Sequence, residues 1–281
     1  MKWIALTIRP IETTASNDSL DEICSELMTR GALGTTITSP PEITCYLPEE
    51  SSLADTFVSH AKELRCDVLT VTEISDEHWT GACPEVWEPI RAGSLEVIPV
   101  ESPSDPRATP PHAIKIIPGL GFGTGHHSTT RMVLAELTKL PAPIPPYAIL
   151  DLGTGSGILA IAAAKLFGSP VEAIDIDPMA IENARDNTAM NGVDNLIELS
   201  TKPLQELSGP YDLILANVYG EVLVQLASEV SRVAQPHATI IMSGITELVW
   251  NQVYTAYCST LKWRVEDETS ENGWVCAVLR R

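Results

Sequence analysis

Three observations predict an α/β chain in two parts, a small α+β unit followed by a doubly wound, mostly parallel sheet. Strand-like and helix-like runs before residue 75 follow the order β-α-β-β-α-β. From residue 112 onward helical and strand patterns alternate, and a glycine-rich turn, "LDLGTGSG", sits where one strand meets the next helix. The first order is that of a compact ferredoxin-like domain, whereas repeated βα units demand a parallel sheet covered by helices on both faces.

In chain order, "WIALTIR" (3–9) has strand character, and "SLDEICSELMTRG" (19–31) spaces apolar residues helically between a Ser N-cap and a closing Gly. "GTTITS" and "ITCYL" read as strands around Pro40-Pro41, "SLADTFVSHAKEL" (52–64) as a second helix and "DVLTVTEI" (67–74) as a fourth strand. Residues 75–111 are acidic and Pro-containing, carry Trp79 and Trp87, and include a strand "SLEVIPV" before a polar loop. The expected division is therefore a unit over 1–72, a linker over 73–90 and a second domain over 91–281. That domain holds strand "HAIKII", a helix over about 129–139 and strand "YAILDL". Helix "GILAIAAAKLF", strand "VEAIDI", helix "PMAIENARDNTAMN" and strands "LIELS" and "YDLILAN" come next. Helix "YGEVLVQLASEVSRVA", strand "ATIIMSG" and helix "ELVWNQVYTAYC" precede a closing antiparallel pair, "KWRVEDE" and "WVCAVLR".

Composition narrows the function classes. The 281 residues carry 37 acidic against 18 basic side chains, a net charge of −19, which repels a phosphate backbone and lacks a nucleic-acid reader's basic stripe. Such acidity suits a basic protein partner, and solubility alone accounts for it equally well. The opening "MKWIALTIRP" is too short an apolar run for a signal peptide, and no later segment offers the ~18 apolar residues of a membrane span, so a cytoplasmic, membrane-free protein is expected. The cysteines at 24, 45, 66, 83, 258 and 276 form no CxxC, so neither a zinc site nor a disulfide framework is suggested.

The turn after "YAILDL" reads D-x-G-x-G-x-G over 151–157 and not the G-x-G-x-x-G of nicotinamide enzymes, which disfavours a dehydrogenase. Asp151 stands just before Gly153 and Gly155, where a carboxylate repels a pyrophosphate but attracts a cationic sulfonium or ammonium. Asp175, at the tip of the next strand, is spaced to accept from both ribose hydroxyls, whereas Asp177 before Pro178 reads as a helix N-cap. Asn217 ends "YDLILAN" with an acceptor and two donors facing the same edge, unless it is only a turn residue. Polar groups delivered to one edge by three strands match a seven-strand, Rossmann-like S-adenosylmethionine-dependent methyltransferase domain. The run "PGLGFGTGHHSTT" (118–130) lacks the Gly-Lys-Ser/Thr of a Walker A loop. Its glycines let backbone approach a ligand closely, and Ser128, Thr129 and Thr130 open a helix able to bind a carboxylate.

Together, "PGLGFGTGHHSTT", "LDLGTGSGILAIAA", "IDIDPMAI" and "LILANVYGEVL", in that order behind a small amino-terminal domain, resemble the bacterial PrmA family, methyltransferases of ribosomal protein L11. The resemblance implies cofactor contact at Thr130, Gly153, Asp175 and Asn217. Asp151, Gly155, Gly123 and Phe122 complete the expected cofactor set, and Asn217 and His127 are the catalytic candidates, His127 as a proton relay or as a helix-end packing residue. His126 and Ser128 depart from the family's usual Thr and Pro, and "NVYGEVL" replaces its commoner Asn-Ile-Leu form. The resemblance further implies S-adenosylmethionine as cofactor, lysine and N-terminal amines as acceptors, and a ribosomal protein substrate docked by the amino-terminal domain, without direct nucleic-acid binding. Two alternatives stay open: methylation of another protein or a small amine, and a non-catalytic S-adenosylmethionine-binding module.

Overall fold

The computed structural model describes the chain apart from residues 1, 12–19, 21–22, 25, 28–29, 33, 40, 49–50, 76–87, 104, 106–109, 111–112, 119–124 and 142–147. It divides into two compact units, Met1–Val86 and Trp87–Arg281.

In the first unit, β1 (Lys2–Pro10), β2 (Gly34–Ser39), β3 (Glu42–Pro48) and β4 (Cys66–Ser75) form an antiparallel sheet in the order β2-β3-β1-β4. Side chains on a strand alternate between faces, so Ile4, Leu6 and Ile8 of β1 and Ile43, Cys45 and Leu47 of β3 reach one core. Phe57 and Ala61 of α1 (Ser51–Glu63) and the helical residues Leu20 and Leu27 close over it. β4 runs through Ser75, beyond the expected boundary at 72, and the next strand starts at Ile90. Trp79 and Trp87 of the expected linker lie outside the described residues.

The second unit opens with a three-strand sheet. β5 (Ile90–Ala92) pairs antiparallel with β6 (Leu95–Pro99), and β6 pairs parallel with β7 (Ala113–Ile116). Seven further strands are β8 (Ile149–Leu152), β9 (Val171–Ile174), β10 (Ile197–Ser200), β11 (Tyr211–Asn217), β12 (Ala234–Thr246), β13 (Arg264–Glu271) and β14 (Trp274–Arg280). Their order is β10-β9-β8-β11-β12-β14-β13, with every strand running the same way except β14, which is antiparallel to both its neighbours. The helices are α2 (Ser128–Lys139), α3 (Ile158–Phe167), α4 (Pro178–Met190), α5 (Gly220–Val233) and α6 (Glu247–Tyr254).

Both faces of this sheet are buried, which is why its central strands read as unbroken apolar runs. Ile149, Leu213, Leu215 and Ile241 join α2 and α3 in one core, while their neighbours Leu150, Ile214, Ala216 and Ile240 join Leu223, Ala227 and Val230 of α5 in the other. Asn272 and Gly273, both at positive φ, make the two-residue turn of the terminal hairpin.

Two elements depart from the sequence expectation. β12 starts at Ala234, where helix was expected, because Ala234 pairs with Tyr211 before the ladder shifts register and resumes at Thr239. The last helix widens into a π turn over Thr255–Thr260, within which Tyr257 is fully buried and donates to Leu223 O at 3.1 Å.

Leu215 sits at zero exposure in the middle of β11. Leu215→Ala should cost about 2–5 kcal/mol through lost transfer energy and a cavity in the close-packed sheet, read as a lower urea midpoint with unchanged slope.

Candidate functional site

Parallel strands send their carboxyl ends to one edge, and here β8, β9 and β11 deliver Asp151, Asp175 and Asn217 to it. The glycine turn after β8 is tied to β9, since Gly153 and Thr154 donate their N–H groups to Ile174 O at 2.9 and 3.0 Å. Gly153, Gly155 and Gly157 all have positive φ. A Cβ on Gly153 would lie 2.3 Å from Val218 Cγ1, and one on Gly157 would lie 3.2 Å from Ala184 Cβ. The first and third glycines therefore admit other parts of the protein: the residue after Asn217, and α4.

Asp151 has no exposed surface although it lies near the carboxyl end of β8. Its Oδ2 accepts from Thr154 Oγ1 at 2.6 Å and from the Ala160 N–H at 3.1 Å, pinning the turn to the first turn of α3. Its Oδ1 is buried with no hydrogen-bond partner among the described residues. Burial pushes the Asp151 carboxyl up to about 7, opposed by those two bonds and reinforced by Asp175. An orphaned buried acceptor asks for a donor, and a cationic ammonium or sulfonium ligand would favour the ionised form.

Asp175 accepts from the Gly155 N–H at 2.9 Å through Oδ2 and from the Asp177 N–H at 3.0 Å through Oδ1. The expected ribose acceptor is thus also a brace of the glycine turn. Each oxygen keeps lone-pair capacity for a hydroxyl. Asp177 caps α4, accepting from the Met179 N–H at 2.9 Å ahead of Pro178, as its sequence position implies. Between the two aspartates Ile176 is 88% exposed, an apolar side chain on an otherwise polar edge that the sequence reading passed over. Its signal was its position, one residue beyond the strand tip.

Asn217 Nδ2 donates to Thr130 Oγ1 at 3.2 Å, joining the end of β11 to the first turn of α2 across 87 residues of sequence. Fixing the amide this way leaves Oδ1 buried and without a partner among the described residues. Thr130, at zero exposure, is a member of the site through its hydroxyl. Phe122 and Gly123 lie outside the described residues.

His127 is the N-cap of α2: Nδ1 accepts from the Thr129 N–H at 3.4 Å and meets Thr129 Oγ1 at 2.8 Å, while the ring packs edge-on to Trp274. Burial, aided by nearby Arg131, lowers its imidazole to about 4. The N-cap geometry matches the helix-end role, and loading a proton on such a group at pH 7 costs about 4 kcal/mol, which weighs against a relay. A separate depression of about 290 Å³, lined by Arg91, Ser94, Glu96 and Pro110 among others, shares no residue with this edge.

The family model described as Ribosomal protein L11 methyltransferase (PrmA) matches residues 9–281. A Ribosomal protein L11 methyltransferase of Pelobacter propionicus is 33% identical over 280 residues, covering 94% of this chain and 87% of the relative. One of Geotalea daltonii is 37% identical over 218 residues, covering 74% and 69%. The crystal structure of a ribosomal protein L11 methylase from Lactobacillus delbrueckii subsp. bulgaricus superposes with a TM-score of 0.62 at 29% identity, covering 69% of this chain and 99% of that one.

His127→Asn keeps an N-cap acceptor while removing the titrating ring. Because the folded imidazole is depressed to about 4 from its ordinary 6.5, the stability it confers is present above 6.5 and is lost as pH falls toward 4. The variant should therefore gain stability relative to wild type as pH drops from 6.5 to 4 in urea titrations, and turnover should stay within about threefold between pH 6 and 9, whereas loss of a general base would cost ~100-fold or more.

Proposed function

The chain belongs to the ribosomal protein L11 methyltransferase (PrmA) family, and on that premise we propose that it transfers methyl groups from S-adenosylmethionine to lysine side-chain and N-terminal amines of ribosomal protein L11. The observation that carries this reading is the Asn217 amide: one of its N–H donors goes to Thr130, and its acceptor is buried at the tip of β11 without a partner among the described residues. That is the polarity needed to receive an N–H from an incoming amine.

The two orphaned oxygens, Asp151 Oδ1 and Asn217 Oδ1, lie on the strand edge where a doubly wound sheet takes its ligand, so the residues present fit the cofactor. When bound, S-adenosylmethionine supplies an electrophilic methyl on a sulfonium. Asp151 serves its cationic methionine end, Asp175 the ribose, and Thr130 at the start of α2 the carboxylate. Ile176 covers an apolar face of the base.

The remaining work is to present a neutral amine. Deprotonating a lysine of pKa ~10.4 at pH 7 costs roughly 4–5 kcal/mol. Holding nucleophile and methyl in line is worth about 7–11 kcal/mol, which exceeds that deficit without a strong base. Asn217 Oδ1 orients the amine, desolvation lowers its pKa, and the released proton passes to solvent. No residue on the described edge needs to hold it.

The amino-terminal unit is read as a ferredoxin-like substrate-recognition domain that docks the ribosomal protein, with residues 73–90 as linker and 91–281 as the catalytic domain. Its antiparallel order β2-β3-β1-β4, with helical segments between β1 and β2 and between β3 and β4, supports that reading. β4 of this unit runs to Ser75, three residues into the expected linker. No helix among the described residues is long and apolar enough to cross a membrane, and a cytoplasmic site of action near ribosome assembly fits the substrate. The net charge of −19 favours a basic protein over nucleic acid as direct partner.

Incubation of the full chain with S-adenosylmethionine and ribosomal protein L11 should add mass in steps of about 14 Da, the weight of a CH₂. Binding of the cofactor without any increment would favour the non-catalytic alternative. Asn217→Ala should lower kcat by roughly 100-fold, since the amine loses its orientation. Removal of residues 1–86 should abolish methylation of the ribosomal protein while cofactor affinity, measured by calorimetry, stays within about threefold; undiminished methylation would refute docking by that unit.

A further inference from the structure

α4 and its C-cap residue close on "NARDNTAMN", with asparagines at 183, 187 and 191, about one helical turn apart on one face. These side chains meet the backbone edge of β7 and its continuation. Asn191 Oδ1 accepts from the Lys115 N–H at 3.0 Å and its Nδ2 donates to Lys115 O at 2.6 Å. Asn187 Oδ1 accepts from the Ile117 N–H at 2.8 Å, and Asn183 Nδ2 donates to Ile117 O at 3.3 Å. Lys165 Nζ of α3 reaches Ala113 O at 2.6 Å. The match follows from pitch: four helical residues advance about 6.0 Å and two strand residues about 6.6 Å. The helix thus supplies amide side chains where a neighbouring strand would supply peptide groups.

Asn187 differs from its neighbours. It is fully buried, and its Nδ2 donates at 2.9 Å to Ser156 O, inside the glycine turn that follows β8. One amide therefore joins that turn to Ile117, the point from which the chain enters the glycine-rich stretch. At the far end of the stretch Gly125 has positive φ, and a Cβ there would lie 2.9 Å from Ile90 Cδ1 and 3.4 Å from Ile158 Cδ1, so this end also packs against the first residue of α3.

We propose that Asn187 is a positioning residue for cofactor binding, which acts by locking the exit of β7 to the Ser156 carbonyl of the glycine turn. It touches no reacting atom. Its two hydrogen bonds set the position of the glycine turn against the exit of β7, and this inference rests on the cofactor reading given above.

Calorimetry of the full chain with S-adenosylhomocysteine tests the proposal. Asn187→Ala removes both bonds, and Asn187→Asp keeps the acceptor for Ile117 but not the donor to Ser156. Each should raise Kd about tenfold or more, as expected when buried partners lose their bonds, with the cofactor KM rising and kcat at saturation close to wild type. Asn191→Ala, which loosens the same strand without touching the turn, should lower Tm but leave Kd within about twofold. In the wild-type chain, S-adenosylhomocysteine should slow hydrogen exchange at the Ile117 amide together with Gly155. Wild-type affinity in the Asn187 variants, an equal loss in Asn191→Ala, or unchanged exchange at Ile117 would overturn it. Should Asn187→Ala not fold, the near-isosteric Asn187→Asp and the wild-type exchange experiment give the same decision. Failure of the wild-type chain to bind would sink the cofactor reading, a result distinct from any of these.

Discussion

A carboxylate without solvent organises the carboxyl edge of this sheet. Asp151 is fully buried, so its charge is costly unless hydrogen bonds surround it, and the chain meets that demand by bending back on itself: Thr154 donates from the glycine turn and Ala160 from the first turn of α3. The bend needs positive φ at three successive odd positions, 153, 155 and 157, which glycine alone adopts without strain. Once formed, the turn is braced from β9 by the Ile174 carbonyl and the Asp175 carboxylate and from α4 by Asn187. One oxygen of Asp151 is left over by these contacts, buried and without a partner among the described residues.

The same economy recurs at Asn217. One of its two N–H donors goes to Thr130, which holds the amide against the start of α2 with its oxygen left over. Orientation fixed before the substrate arrives need not be established at the moment of reaction. His127 contributes to this arrangement indirectly: by capping α2 as a neutral imidazole it fixes the helix start on which Thr130 sits. A site with little reliance on a strong base suits an acceptor that needs presentation and desolvation more than proton abstraction.

Residues of the candidate site also hold its packing together. Gly153 accommodates Val218, Gly157 accommodates Ala184, and Asp175 braces Gly155 while retaining lone pairs. Substitutions here couple stability to binding, and their effects are not expected to add. The terminal hairpin is a further instance: Trp274 flanks the His127 ring, so the antiparallel edge of the sheet reaches the helix start that holds Thr130.

What the sequence determined by itself was largely local. Alternation of buried strands and helices, the Asn272-Gly273 turn, the Asp177-Pro178 start of α4 and the glycine turn are each written in a few contiguous residues, because backbone conformation and burial on both faces dictate those residue types. The identity of Asp151, Asp175 and Asn217 as strand-tip groups was legible for the same reason. The tertiary structure decided which atoms those groups leave free. No spacing tells that Thr130 would occupy the Asn217 donor, that burial would keep His127 neutral, that Ile176 would stand exposed, or that Asn187 would link β7 to Ser156, because each depends on a partner tens of residues away, delivered by strand order and helix packing.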